Sequence, residues 1–238
     1  VELTREGEIF LPYARQMVNT WKSASEHLLQ TRLMEESEIR ITSSSTPGTY
    51  IIPSLIYLFR QSYPYITVIN HIQYTRSAIS DVIGGNFFLG IISQPASVGT
   101  DVLCCEPLME DPLVLVVHPQ HPWAEKRGIL FKEITEETLL ISNPNTSLVN
   151  YLEKEGRLSL EPSRLYVAGN IEAIKRGIRN HQGISIMSEY AVRQELELGL
   201  LKQVPLLDHP GLKRQLYTIF RKDTRFKLST SLFLEFFR

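Results

Sequence analysis

Residues 39–53 read Ile-Arg-Ile-Thr-Ser-Ser-Ser-Thr-Pro-Gly-Thr-Tyr-Ile-Ile-Pro, and the change of character along this stretch decides the fold. Ile39 and Ile41 alternate with polar neighbours, the period-two pattern of a short strand. Thr42, Ser43, Ser44, Ser45 and Thr46 follow, more hydroxyls than a single helix cap requires. From Pro47 to Gln61 apolar residues return at helical spacing, with Pro47 suited to the first helical position and Thr46 to the N-cap. The segment therefore reads strand, polar loop, helix.

Downstream the same order recurs. Residues 66–72 are rich in β-branched side chains, 75–83 are helical in pattern, 87–92 form a continuous apolar strand, and 113–117 add another strand that ends in the Pro-rich turn 118–122. A second series then runs through a strand at 139–142, a helix at 146–155, a strand at 164–167, a helix at 171–180 and a strand at 183–187. A helix at 189–198 closes on Gly199 as its C-cap, and short strands at 202–204 and 216–220 precede a terminal helix from Leu228. Strands alternating with helices at this spacing predict an α/β protein with mostly parallel sheets covered on both faces. The two series predict two lobes, each with its own sheet, and a ligand cleft between them.

Upstream of residue 39 the pattern differs. Phe10, Ala14, Met17, Trp21, Ala24 and Leu28 recur at alternating spacings of four and three, a heptad seam on a long helix that Thr4 can cap and that Pro12 should bend near Glu8. Such a seam pairs with a second copy of the chain or docks on the chain's own domain.

Bulk properties bound the function. The 25 basic and 26 acidic residues leave a formal charge of -1, so the chain as a whole has no pull toward nucleic acid or an anionic membrane. No apolar run approaches bilayer length and the charged start is unlike a secretory signal, which makes a cytoplasmic protein without membrane contact the expectation. Cys104 and Cys105 are adjacent, a spacing that strains a disulfide, and read as two buried thiols on a strand. His118 and His121 lie in a His-Pro-Gln-His-Pro turn. Gly183-Ile184-Ser185 lacks the closing glycine of a nucleophile elbow, and no metal-ligand spacing or phosphate-cradling glycine motif is present. Neither catalysis, nor a metal, nor a cofactor is expected.

Ligand chemistry points instead to the strand ends. In α/β folds ligands gather beyond the carboxyl ends of strands, where helix N-termini present free N–H groups. Ser44, Ser45 and Thr46 occupy such a loop in the first lobe, and Asn143, Asn145, Thr146 and Ser147 occupy its counterpart in the second. Hydroxyls and amides around free N–H groups suit a small anion, though each loop alone could simply cap its helix. Ser93, Gln94 and Asn170 take comparable positions, and Arg176 and Arg179 either add charge for an acidic ligand or form a solvated helix face.

Several segments in combination resemble the LysR-type transcription regulators. They are Leu3-Thr4-Arg5-Glu6-Gly7-Glu8 with Leu11-Pro12-Tyr13-Ala14; the 41–53 stretch with Gly48, Tyr50 and Pro53; Glu106-Pro107-Leu108 through His121-Pro122-Trp123; and Glu172-Ala173-Ile174 with Gly183-Ile184-Ser185-Ile186 and Gly199-Leu200-Leu201. The resemblance implies two Rossmann-like lobes as in type 2 periplasmic binding proteins, preceded by a long linker helix, with crossovers near 117–119 and 204–209. It divides the chain into a linker and dimerisation helix at 1–34, one effector-binding lobe at 38–117, a second at 118–207, and a return to the first at 208–238. It also implies effector contacts at Ser44 and Thr46, a homo-oligomer, and DNA binding only through an N-terminal winged helix-turn-helix domain that this sequence lacks. One departure stands out, since Phe88 occupies the place where the family usually carries an aspartate. A solute-binding protein of a transporter would share the lobes and the cleft and is the alternative expectation.

Overall fold

A computed structural model describes residues 3–35, 38–93, 101–144, 146–156 and 161–236. The chain forms two compact units, one made of residues 1–39, 57–69 and 225–238, the other of residues 40–56 and 70–224.

The first unit is built on α1, Arg5–Glu35, a 31-residue helix that runs through Pro12. The Thr4 hydroxyl accepts the Gly7 N–H at 3.2 Å, the capping role its position suggests. Phe10, Met17, Trp21 and Leu28 of the seam are 57–74% exposed, and Ala14 and Ala24 lie on the same helix. The same unit holds an aromatic nucleus. Phe59, from the second half of α2 (Ile52–Ser62), meets Phe233 of α7 (Leu228–Phe236) edge-on at 5.1 Å and stacks at a tilt on Tyr63 at 4.8 Å.

The second unit carries most of the sheet. Its elements are β1 (Glu38–Ser44), β2 (Thr67–Gln73), α3 (Thr75–Ile83), β3 (Leu89–Ser93), β4 (Leu103–Val117), β5 (Leu139–Ile141), α4 (Ser147–Gly156), β6 (Leu165–Val167), α5 (Ile171–Arg179), β7 (Ser185–Ser188), α6 (Glu189–Glu197), β8 (Lys202–Val204) and β9 (Lys213–Arg221), with β1 and β2 each entering from the first unit's residues. Among the described residues, one sheet runs β2-β1-β3-β9-β4-β7 with β8 also on β4, and a two-stranded sheet pairs β5 with β6.

Two sheets are present among the described residues, but the expectation that they are mostly parallel is corrected. β1–β3 and β5–β6 are parallel, whereas β9 enters antiparallel between β3 and β4, and β4 pairs antiparallel with β7 and β8. The cause is β4. It runs 15 residues, not the five apolar ones at its end, and it changes partner midway: Leu103 to Pro112 pair with β9, while Leu113 to Val117 pair with β7 and β8. Pro107 falls at the shift of register and Pro112 at the change of partner, places where a missing N–H costs the ladder little. Among the described residues this one continuous strand serves three hydrophobic clusters. Leu103 packs with Ala78, Val82, Ile92 and Ile219; Leu115 and Val117 with Phe131, Ile184 and Val204; and Val114 and Val116 with Ile174, Ile178 and Val192.

Gly48 and Gly199 are among the glycines that geometry demands. A side chain on Gly48 would stand 2.3 Å from Ser43 Oγ and 2.8 Å from Ile72 Cγ1. Gly199 (φ 67°) ends α6: its N–H bonds to Leu196 O and that of Leu200 to Glu195 O, the paired bonds of a Schellman turn. Cys104 and Cys105 sit on β4 as expected, but both are half-exposed and not buried, and burial with the neighbouring Cys104 pushes the Cys105 thiol up. Phe88 is 63% exposed ahead of β3.

Candidate functional site

The second unit encloses a cavity of about 750 Å³, within the range of small-molecule sites. One wall comes from the end of β1 and the turn after it. There the backbone is already helical at Thr46 (φ -63°, ψ -58°), and Pro47–Ile51 form one wide turn in which the Ile52 N–H reaches back to Pro47 O. Such widened turns occur often at functional positions. Thr46 is therefore not the N-cap that the Thr-Pro pattern suggests. Its hydroxyl makes no capping bond and accepts from Arg214 Nη2 at 3.0 Å.

The sequence candidates divide clearly. Ser44, Ser45, Thr46, Ser93, Asn143, Thr146 and Asn170 all line the cavity. Ser44 and Ser93 are buried and bound to each other, the hydroxyls 3.2 Å apart and the Ser93 N–H 2.9 Å from Ser44 Oγ. Thr146 accepts the Val149 N–H at 3.3 Å and Asn170 accepts the Ala173 N–H at 2.9 Å, so both cap helices that start at the cavity. Ser147 is the first residue of α4. Asn145 and Gln94 lie outside the described residues. Arg176 and Arg179 are exposed on α5 and Phe88 stands ahead of β3; none of the three lines the cavity, so Arg176 and Arg179 fit a solvated helix face.

Two polar networks were not anticipated. In the first, Asp111 of β4 and Arg214 of β9 face each other in register, with side chains 0% and 4% exposed and Nε 2.7 Å from Oδ2. The other Asp111 oxygen accepts the hydroxyl of Ser188, and Arg214 continues to Thr46. In the second, Tyr50 donates to Glu172 at 2.7 Å, and Lys175 sits between Glu172 (2.7 Å) and Glu195 (2.8 Å), donates to Ala191 O, and lies 5.3 Å from the Tyr50 ring centre. Burial and the Glu172 hydrogen bond raise the Tyr50 phenol well above its ordinary range. Burial opposes the charge on Lys175, but its two carboxylate partners outweigh that and hold the ammonium above the usual lysine value. Glu172, resisted by partial burial, is held low by Lys175 and Tyr50.

The first network joins the turn after β1 to β4, β7 and β9, and the second joins it to α5 and α6. Arg214 was legible in principle. On β9 it shares the buried parity of Leu216 and Thr218, and a charged residue on an inward strand face is a signal of function or pairing. Asp111 was hidden between Glu110 and Pro112, which interrupt the apolar pattern.

The LysR substrate binding domain family matches residues 34–238. A protein of Cyanidioschyzon merolae (strain NIES-3377 / 10D) named "Probable RuBisCO transcriptional regulator" is 28% identical over 225 residues, covering 92% of this chain and 73% of that one. A protein of the same name from Cyanidium caldarium is 30% identical over 223 residues, with 92% and 70% covered. Among solved structures, the CcmR regulatory domain of Synechocystis PCC6803, in complex with 2-PG, superposes with a TM-score of 0.73 at 24% identity over 84% of this chain and 95% of its own. A full-length OxyR variant from Pseudomonas aeruginosa reaches 0.75 at 17% identity, over 100% of this chain and 81% of its own. The structural likenesses carry the fold, the two-lobed type 2 periplasmic binding protein arrangement, and the match of family and relatives carries the rest: the chain belongs to the LysR substrate binding domain family and is the effector-binding domain of a LysR-type transcription regulator.

Proposed function

We propose that the cavity takes a small anionic metabolite, contacted by Ser44, Thr46, Ser93 and Asn143, and that α1 pairs with α1 of a second copy through Phe10, Ala14, Met17, Trp21, Ala24 and Leu28. In this reading the ligand binds one arrangement of the two lobes, within 38–117 with 208–238 and 118–207, more tightly than another, and the paired helices pass that preference to DNA-binding heads. The observation that carries it is the cavity itself, which collects the buried hydroxyls of Ser44, Thr46 and Ser93 and the capped starts of α4 and α5 around one space. The exposure of the α1 seam supports pairing over docking on the chain's own domain.

The relatives are named as transcription regulators, which supports sensing over the transporter solute-binding alternative and over catalysis. No helix among the described residues is long and apolar enough to cross a membrane, and a role in transcription supports a cytoplasmic location. A thermal-shift screen of small carboxylates and phosphate esters tests the proposal, and 2-PG, named with the CcmR domain, heads it. A ligand at about 100 times its Kd adds roughly 2.7 kcal/mol, or about 5–10 °C for a domain of this size. A hit weakened in Thr46→Ala supports the reading; hits indifferent to it place the ligand elsewhere.

A further inference from the structure

We infer that Arg214 is the group that recognises the anion in the cavity, and that Asp111 is the positioning residue that presents it. This inference rests on the proposed function and names the residue that reads the ligand's charge.

Arg214 is a buried guanidinium that its own protein leaves incompletely bonded. Nε donates to Asp111 at 2.7 Å and Nη2 to Thr46 at 3.0 Å. Of the five N–H donors a guanidinium carries, the remaining three have no acceptor among the described residues, although the side chain is only 4% exposed and lines the cavity. A guanidinium does not shed its proton when buried, so desolvation cannot neutralise it as it would a lysine. These donors open onto the cavity and not into packed protein, so an anion there meets them directly in place of water. A carboxylate or phosphate presents two oxygens at the spacing of the guanidinium fork and satisfies two donors at once.

Asp111 explains how such a group is held ready. It is completely buried, and both of its oxygens are committed, one to Arg214 and one to Ser188. The carboxylate fixes the plane of the guanidinium and cancels its formal charge, so recognition depends on directed hydrogen bonds more than on net charge. The pair therefore favours oxyanions with two or more terminal oxygens over a spherical anion such as chloride. The hydroxyls of Ser44, Thr46 and Ser93 share the wall and suit the anion's other oxygens.

The test is calorimetric titration of the whole chain with inorganic phosphate, sulfate and malonate, with chloride as control, on the wild type, R214K and the paired variant D111N/R214Q. The paired variant replaces a neutral ion pair by two neutral amides and avoids stranding a charge. Oxyanion binding by the wild type, a loss of at least about ten-fold in R214K, which keeps charge but not the fork, and loss of a measurable signal in folded D111N/R214Q are expected. A purely structural pair would leave the affinity of D111N/R214Q unchanged, and that result overturns the inference while the cavity keeps its ligand. If D111N/R214Q does not fold, R214K decides alone, and wild-type affinity there overturns the inference. A wild type indifferent to all three oxyanions also overturns it, and the metabolite screen then judges the proposed function separately.

Discussion

Lys175→Met removes one ammonium and keeps much of the apolar volume of its stem. In the folded protein that ammonium is 8% exposed and is the shared partner of Glu172, which is 60% exposed, and Glu195, which is 17% exposed. Removing one member of a buried ion pair costs about 3–5 kcal/mol. The Glu172 arm is largely solvated and contributes little, so the low end applies, about 3 kcal/mol. For a domain of this size each kcal/mol moves Tm by about 2–4 °C, giving a fall of about 6–12 °C by circular dichroism at neutral pH. The pH dependence has a definite sign. Lys175 is raised in the folded state, so its contribution is complete below about 10.5 and is lost only as pH rises through the higher folded value. Glu172 is lowered, so its contribution is present above its ordinary value and disappears as pH falls through the lower folded one. The gap between wild type and variant should therefore stay level from about pH 6 to 9 and narrow in acid. A Tm within about 2 °C of wild type at neutral pH would refute the reasoning, because it would mean that the two carboxylates lose nothing when their shared cation goes.

Three further outcomes follow from the same geometry. In Tyr50→Phe the loss of the bond to Glu172, an exposed contact, should lower Tm by about 2–4 °C for about 1 kcal/mol, and the ultraviolet difference between wild type and variant on alkaline titration should appear only above the ordinary tyrosine range. Gly48→Ala forces a methyl against Ser43 and Ile72 and should cost about 1–3 kcal/mol, read as a lower urea midpoint at unchanged slope. Trp21→Asp places a charge in the exposed seam of α1, and sedimentation should report a smaller assembly with an unchanged circular dichroism spectrum; an unchanged assembly would take the seam out of the oligomer.

How far the sequence discloses this molecule depends on the range of the interaction. Local grammar was enough for the order of strand and helix at residues 39–62, for the bounds of α3, and for the cap at Gly199, because each is decided by neighbours within a few residues; the hydroxyls read as a loop are instead the end of β1 and the first helical residues. Thr46 shows where local grammar misleads. A threonine before a proline looks like a cap, yet the backbone is already helical there and the hydroxyl serves Arg214, 168 residues away. The apolar run 113–117 marks only the last five residues of β4, because Glu106, Pro107, Glu110, Asp111 and Pro112 interrupt the apolar pattern, while the structure uses the two prolines at irregular points of a long ladder. The mixed strand order was hidden for the same reason, since the ladder partner of β9 is the part of β4 that the apolar pattern does not mark. Asp111 with Arg214, and Tyr50 with Glu172, are separated by 103 and 122 residues, and no spacing rule reaches that far.

The central claim, that the cavity is where this domain senses its effector, is tested most directly by hydrogen exchange of the backbone amides with and without the metabolite found in the screen. The account predicts slowed exchange at residues 44–49, at Ser142 and Asn143, and at residues 170–174, on both walls at once and saturating with one ligand per chain. Protection confined to other segments, with these amides unchanged at saturation, would contradict it.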